Sequence, residues 1–366
     1  MKNIHAYLFG KLKEKKPLAL ATIVETKGST PQVTGASALF SPKGLLEGTL
    51  GGGLLEADAQ KEAQRAIKDM TPVLSEFTLR DDISDEEGAI CGGEVRILID
   101  ATPGEYSDTF RVLSQSLEQR EPGILATFIN EFPKKKVSLL RFWIEKKEKS
   151  DTELEKPFSF FRAEIKHVFS ECQPKLLKIR ENIFPEKGIN QFLFLEPVFP
   201  LPQLVIAGAG HIGQALSRLG SLLGFEVTVI DDRPEYANTE NLPDADNIVV
   251  KDIGKAVRDF PVSSDTYVVI VTRGHSHDAD ALRQCISSDA GYIGMIGSVR
   301  KIELMRKKFL EGGWATLRQF NRVHAPIGIN INSKTVEEIA VSIAAQLVQV
   351  RSQIQHRRGG EKWSGP

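Results

Sequence analysis

The stretch Gln203-Leu-Val-Ile-Ala-Gly-Ala-Gly-His-Ile-Gly213 decides the fold of the second half of this chain. Its first five residues form an apolar run typical of a buried strand, and the residues after it repeat apolar side chains on one helical face. Gly208 permits a tight turn, Gly210 permits close approach of the backbone to a phosphate, and Gly213 permits close packing of helix on strand. The pattern predicts a strand, a phosphate-binding turn and a helix; the alternative is that these glycines serve packing alone.

Alternating strands and helices continue to the end of the chain. Further β-rich runs are separated by segments long enough for a crossover helix: Glu226–Ile230, Asn247–Val250, Thr266–Val271 and Tyr292–Ile296. This order predicts a Rossmann-type, doubly wound parallel sheet covered on both faces. Prolines 197, 200 and 202 favour an interdomain connection. We therefore expect an α/β protein with an N-terminal α+β glycine-loop domain over 1–198 and the Rossmann-type domain over 199–366.

Ligands of open α/β sheets bind outside the carboxyl ends of the strands, so the residues there are candidates for a nucleotide site. Asp231 ends the second strand, where an acidic residue meets a ribose hydroxyl and favours NAD over NADP. His275 is a candidate for hydrogen bonding or proton transfer, or else it fixes its own loop. Ser298 and Arg300 open a helix suited to an anion. We expect all of these to bind cofactor, together with the turn residues Gly208, Gly210, His211 and Gly213.

Glycine-rich loops dominate the first half of the chain. Gly51-Gly52-Gly53 precedes a helix and resembles a backbone anion site, although triple glycine also serves as a tight connection. Cys91 stands before Gly92 and Gly93, where the backbone can pass close to a ligand that a thiolate can reach. Sulfur is a soft ligand that suits molybdenum, and a lone cysteine can also carry a persulfide. Free cysteines are otherwise commonly buried, which we expect of Cys172 and Cys285.

Composition narrows the class of protein. A length of 366 residues favours two domains, and Lys+Arg 47 against Asp+Glu 48 gives a net charge of -1, which does not indicate a nucleic-acid partner. The three cysteines lie far apart and predict neither a disulfide framework nor a zinc site, so a reducing compartment fits best. No run approaches the roughly 18 apolar residues that cross a bilayer. We expect a cytoplasmic protein that does not enter the membrane.

The ordered motifs resemble the xanthine dehydrogenase accessory factor (XdhC/CoxI) family along most of both domains. The segments that carry the resemblance are Gly28-Ser-Thr-Pro31, Gly35-Ala36, Gly48-Thr-Leu-Gly-Gly-Gly53 with Leu55-Glu56, Cys91-Gly-Gly93, Val205-Ile-Ala-Gly-Ala-Gly-His-Ile-Gly213, Val229-Ile-Asp-Asp-Arg-Pro-Glu235, Thr272-Arg-Gly-His275 with Asp278, Tyr292-Ile-Gly-Met-Ile-Gly-Ser298, His324-Ala-Pro-Ile-Gly328 and Glu337-Glu-Ile-Ala340. One departure is Gln32, where the family pattern leads us to expect an arginine.

The resemblance implies a chaperone without turnover of its own. Such a protein binds molybdenum cofactor (molybdopterin), protects it while a cysteine desulfurase supplies the terminal sulfur, and delivers it to an apo molybdenum hydroxylase like xanthine dehydrogenase. Cys91 is the position to which the family's cofactor-binding cysteine carries over, which makes it the candidate metal ligand. Two alternatives stay open: an NAD-dependent oxidoreductase that uses His275 as proton relay, and a nucleotide-gated regulatory protein. Association into a homodimer is open as well.

Overall fold

A computed structural model describes residues 3–79, 92–133, 136–145, 158–179 and 189–358 of the chain. Contacts divide it into two compact units, which we call the N-terminal unit, Lys2–Pro200, and the C-terminal unit, Leu201–Arg357. We keep 1–198 and 199–366 as the proposed domain limits. Within the described ranges, every helix is too short or too polar to pass through a lipid bilayer.

The N-terminal unit contains two antiparallel sheets. The first, sheet A, has five strands in the order β3-β2-β1-β5-β4. These strands are β1 Ala19–Lys27, β2 Ser37–Ser41, β3 Gly44–Gly48, β4 Val73–Thr78 and β5 Glu94–Asp100. Helix α2, Gly53–Asp69, packs Leu55, Ala59 and Ala63 on one face of this sheet, because these residues recur at helical spacing. The start of α2 lies next to the glycine-rich loop predicted to bind an anion.

A second sheet, sheet B, lies in the part of the chain between the segments Cys91–Gly93 and Val205–Gly213. Its order is β7-β6-β9-β8. The strands are β6 Gly123–Phe132, β7 Lys136–Glu145, β8 Lys175–Lys178 and β9 Asn190–Val198, and the accompanying helices of the unit are α1 Ile4–Leu12, α3 Ser107–Glu118 and α4 Arg162–Glu171. The two sheets share a core in which Val24 and Leu98 of sheet A meet Ile129 and Phe194 of sheet B. Parts of the stretch 131–187 therefore form regular strands and helices that belong to the core of the N-terminal unit.

The C-terminal unit confirms the Rossmann-type prediction. Its parallel sheet has the order β12-β11-β10-β13-β14, and all neighbouring pairs are parallel. The strands are β10 Gln203–Ala207, β11 Glu226–Asp231, β12 Asn247–Val250, β13 Thr266–Ile270 and β14 Tyr292–Met295. The strand order reverses between β10 and β13, which places the ligand crevice expected of this fold at their carboxyl ends.

Helices cover both faces of the parallel sheet. They are α5 His211–Leu222, α6 Ile253–Asp259, α7 His275–Cys285, α8 Val299–Glu311, α9 Leu317–Asn321 and α10 Val336–Arg358. A capping box starts α10, because Thr335 Oγ1 accepts from the Glu338 N–H at 3.2 Å and Glu338 accepts from the Thr335 N–H at 3.0 Å. Helices α5, α7 and α8 begin at the carboxyl ends of β10, β13 and β14, which are neighbours in the sheet.

Candidate functional site

Three glycine segments that lie far apart in sequence meet at one end of sheet A. A Cβ atom on Gly28 would lie 3.2 Å from the carbonyl oxygen of Gly92, and one on Gly93 would overlap the carbonyl oxygen of Ser29. On the other side of the same turn, a Cβ on Gly51 would lie 3.0 Å from Pro31. The structure thus joins the segments 28–31, 51–53 and 92–93, which we call the glycine cradle.

Glu56 orders the triple-glycine loop of the cradle. Its carboxylate accepts from Thr49 Oγ1 at 2.6 Å, from the Leu50 N–H at 2.8 Å and from the Gly52 N–H at 3.4 Å. Burial opposes ionisation, but these hydrogen bonds outweigh it and lower the pKa of Glu56. Sequence reasoning did not assign this role to Glu56, although an acidic side chain in the first turn of a helix can reach back to the N–H groups before it.

The start of helix α2 is open within the cradle. Gly52 caps the helix without a side-chain hydrogen bond, and Cβ atoms built on Gly52 or Gly53 would meet no heavy atom within 4 Å. Among the described residues, the N–H groups of Gly53, Leu54 and Leu55 have no acceptor. Both glycines have positive φ, 73° and 58°, so the loop depends on residues without a side chain. This geometry suits the approach of an anionic group to the backbone.

The rim of the cradle is partly apolar. Leu54 follows the triple glycine and is 51% exposed, and Val33 follows the 28–31 turn and is 69% exposed. Gln32, the position of the missing arginine, turns its amide back on its own loop, where Oε1 accepts from the Val33 N–H at 3.2 Å. No cation therefore stands at position 32, and the backbone supplies the donors of the cradle.

Two of the three cysteines, Cys172 and Cys285, lie among the described residues. Cys91, the predicted metal ligand, lies outside the described residues and directly precedes Gly92 of the cradle in the chain. Cys285 is buried in helix α7, and burial raises the pKa of its thiol to about 12, so the reactive thiolate is absent at neutral pH. Cys172, which caps the C-terminal end of helix α4, is only half-buried, so the expectation of a buried thiol is wrong for this residue. Its thiol donates to the Phe169 carbonyl at 3.6 Å.

The fingerprint turn of the C-terminal unit is as tight as the glycine spacing predicts. A Cβ on Gly208 would lie 2.5 Å from the Val271 carbonyl oxygen, and one on Gly213 would overlap the carbonyl oxygen of Gly208. A Cβ on Gly210 would instead meet nothing within 4 Å. Gly208 and Gly213 are therefore needed for packing. Gly210 faces open space at the start of helix α5, where His211 is exposed.

Asp231 is engaged within the protein. Its carboxylate accepts from the Ala209 N–H at 2.7 Å, from the Arg233 N–H at 3.0 Å, and from Arg233 Nε and Nη2 at 2.8 and 2.9 Å. Burial would raise the pKa of Asp231, but the hydrogen bonds from Arg233 and Ala209 prevail and lower it to about 2. The side chain predicted to meet a ribose thus ties the glycine turn to the end of β11.

Asp278 organises the ends of β13 and β14. Its buried carboxylate accepts from Thr272 Oγ1 at 2.6 Å, and its other oxygen binds the ammonium group of Lys301. Lys301 also donates to the Ile296 carbonyl at 3.2 Å. Asp278 neutralises Lys301, so Arg300, which is exposed in the first turn of α8, is the cation that an anion can meet there.

The remaining predicted residues lie along the same edge of the sheet. Ser298 caps α8 by accepting from the Lys301 N–H at 3.3 Å. His275 begins α7, and the disposition of its side chain lies outside the described part of the structure. Arg273 faces Asp232 across the crevice at 3.7 Å. No group of His, Cys, Asp and Glu side chains suited to a metal ion occurs among the residues that the structure describes.

Two protein-family models match this chain. Residues 12–78 match the XdhC and CoxI family, and residues 204–347 match the XdhC Rossmann domain. The first range contains the 28–31 and 51–53 segments of the cradle, and the second contains the fingerprint turn, Asp231 and Asp278.

The similar proteins match very different fractions of the chain. The chain is 26% identical to a probable xanthine dehydrogenase subunit of Bacillus subtilis, over 97% of this chain and 99% of that protein. A crystal structure of a xanthine dehydrogenase from Bacillus halodurans superposes with a TM-score of 0.74 at 25% identity, covering 99% of this chain and 98% of that one. The molybdenum cofactor insertion chaperone PaoD of Escherichia coli is 22% identical over 42% of this chain and 41% of its own length.

Proposed function

Since this chain belongs to the XdhC and CoxI family, we propose that it is a maturation factor that holds molybdenum cofactor and delivers it to a xanthine dehydrogenase-like molybdenum hydroxylase. The names of two relatives support this function, because one is a probable xanthine dehydrogenase subunit and another is a molybdenum cofactor insertion chaperone. A cysteine desulfurase is the proposed partner that supplies the terminal sulfur while the cofactor is held.

The convergence of the three glycine segments is the observation that carries the proposal. The donors of the cradle fit an anionic group, because Gly53, Leu54 and Leu55 offer N–H groups without an acceptor in the described ranges. Space for the ligand also exists, since a Cβ on Gly52 or Gly53 would project into open volume. A phosphate on an extended organic cargo is a group of this kind.

The residues of the cradle have distinct proposed tasks. Glu56 keeps the triple-glycine loop in its binding conformation by accepting from Thr49, Leu50 and Gly52. Gly92 and Gly93 let the backbone pass close to the turn at Gly28. The cargo presents a molybdenum and sulfur end as well as a phosphate, and Cys91 is the soft ligand proposed for that end. We propose no step of chemical turnover for the cradle itself.

The crevice of the C-terminal unit is proposed as a second anion-binding surface. The N–H groups of His211, Ile212 and Gly213 have no acceptor within the described parts of the chain, and Gly210 leaves the space in front of them open. A nucleotide or the phosphate end of the cofactor fits such a surface. An NAD-dependent oxidoreductase is the alternative, and it requires a hydride acceptor pocket that no described residue identifies.

Reconstitution of an apo-enzyme tests the proposed function. Protein purified from molybdenum-supplied cells should activate an apo molybdenum hydroxylase in proportion to the amount of protein added, and it should not oxidise NADH with carbonyl substrates. Steady NADH turnover without activation would instead establish the oxidoreductase.

A charge variant connects that activity with the cradle. Leu54→Glu adds a carboxylate at an exposed position in the first turn of α2, where the helix dipole tolerates it but an anionic cargo is repelled. Activation should fall several-fold. Met70→Glu makes the same charge change at an exposed position at the other end of α2 and should leave activation unchanged. Equal activation by the two variants would show that the cradle does not take part in cofactor delivery.

A further inference from the structure

We propose that Arg233 occupies the ribose-binding position of the C-terminal unit, so that the crevice binds phosphate groups without holding a ribose diol. The inference rests on the proposed function only in that the crevice is taken to bind an anion. It concerns which chemical class of ligand is selected: phosphate esters in general rather than the adenosine half of a dinucleotide.

The hydrogen-bonding capacity of Asp231 is the first support. A carboxylate has about four lone-pair sites on its two oxygens. Asp231 already accepts four hydrogen bonds, one from the Ala209 N–H and three from Arg233. Its side chain is 1% exposed. A ribose hydroxyl therefore finds neither a free lone pair nor an accessible oxygen while Arg233 stays in place.

The second support is that Arg233 is itself held firmly. Its guanidinium group lies 4.0 Å from the centre of the Tyr236 ring, and its Nε lies 3.9 Å from Asp232. The side chain is 15% exposed. Displacing it would break a paired set of charge-assisted hydrogen bonds and a cation–π contact, whereas a neutral hydroxyl would return weaker hydrogen bonds. Ribose therefore competes poorly with Arg233.

The pairing of Asp231 with Arg233 also changes the expected preference between NAD and NADP. The sequence predicted that NAD binds better than NADP because Asp231 grips the 2′-hydroxyl and repels a 2′-phosphate. With Arg233 paired to Asp231, both effects are removed at this position. Exposed Arg300 and the backbone N–H groups at the start of α5 still offer binding to phosphate. The crevice should then bind NAD and NADP with similar affinity.

Removing Arg233 should open the ribose position. We expect Arg233→Ala to bind ADP-ribose about 10-fold tighter than the parent protein, the factor that corresponds to one hydrogen bond to a charged group. This gain in affinity should be absent for an ADP-ribose that lacks the 2′-hydroxyl of its adenosine ribose. It should also disappear in the double variant Arg233→Ala with Asp231→Asn. Isothermal titration of each variant with both ligands measures these affinities, and thermal melting verifies that the variants are folded.

Arg273→Ala is the matched control, because it also removes one guanidinium group from the crevice but leaves the Asp231 pair intact. It should not increase the affinity for ADP-ribose. The inference is overturned if Arg233→Ala binds ADP-ribose no better than the parent, including the case in which neither binds it. Titration of the parent with inorganic pyrophosphate tests the proposed anion surface separately, so failure of that surface and failure of the role of Arg233 give different results.

Discussion

Paired alanine substitutions in the fingerprint turn separate the glycine that the fold needs from the glycine that a ligand needs. At Gly213 a methyl group would overlap the carbonyl oxygen of Gly208, and backbone cannot move aside as a flexible side chain can. At Gly210 the φ of -68° suits any residue, and the same methyl group would meet nothing within 4 Å. We expect Gly213→Ala to destabilise the protein and Gly210→Ala to leave it folded.

The difference in magnitude should be easy to measure. Overpacking costs about 1–3 kcal/mol, against which the better helix propensity of alanine returns about 0.5–1 kcal/mol within α5. The overlap at Gly213 is with backbone, so we expect a net loss of about 2 kcal/mol in the free energy of unfolding. For a unit of this size that loss lowers Tm by roughly 4–8 °C. Gly210→Ala should change the free energy by less than about 1 kcal/mol, the order of a lost glycine cap.

Urea unfolding followed by circular dichroism, with thermal melting beside it, measures both variants. The midpoint should fall for Gly213→Ala alone. If Gly210→Ala is destabilised as strongly as Gly213→Ala, Gly210 packs against the protein and does not face a ligand.

Three further predictions concern the same unit. Gly210→Val should keep the fold yet weaken the binding of pyrophosphate, because its branched side chain fills the space before α5. An affinity for pyrophosphate equal to that of the parent in titration calorimetry would show that phosphate does not bind at this position. Asp278→Asn should destabilise the unit by about 3–5 kcal/mol, since the ammonium group of Lys301 loses its buried partner; a urea midpoint equal to that of the parent would show that the pair is dispensable. The pKa of Asp231 lies at about 2 in the folded protein, below the unfolded value of about 3.9. The contribution of Asp231 to the free energy of unfolding is therefore fully present above about pH 3.9 and is lost as the pH falls through 2. Stability measured between pH 5 and about 2 should therefore fall less steeply in Asp231→Asn than in the parent.

The sequence predicts the C-terminal unit well because its signals are local. Each buried strand is a short apolar run, and the turn glycines stand at fixed spacing. The Rossmann-type sheet is confirmed. Bounds differ by a residue or so, as at β13, which ends at Ile270.

The sequence did not predict which strands and loops that are distant in the chain lie side by side. Strands β6 and β9 are neighbours in sheet B although about 60 residues separate partners such as Asn130 and Gln191. The glycine segments were recognised one by one, but their meeting in one cradle depends on the register of β1 and β5. The pairing of Arg233 with Asp231 was also out of reach, because an acidic residue at the end of β11 has the same sequence pattern whether a ligand or a neighbouring guanidinium group binds it.

The most direct test of the central claim is the molybdenum and pterin content of the purified protein and its cysteine variants. The parent protein from molybdenum-supplied cells should release an oxidised fluorescent pterin and contain molybdenum. Cys91→Ser should keep its Tm and lose both, while Cys172→Ser, a change at the end of α4, should retain both. A parent protein without pterin would contradict cofactor binding, and full molybdenum occupancy in Cys91→Ser would contradict the role of the thiolate.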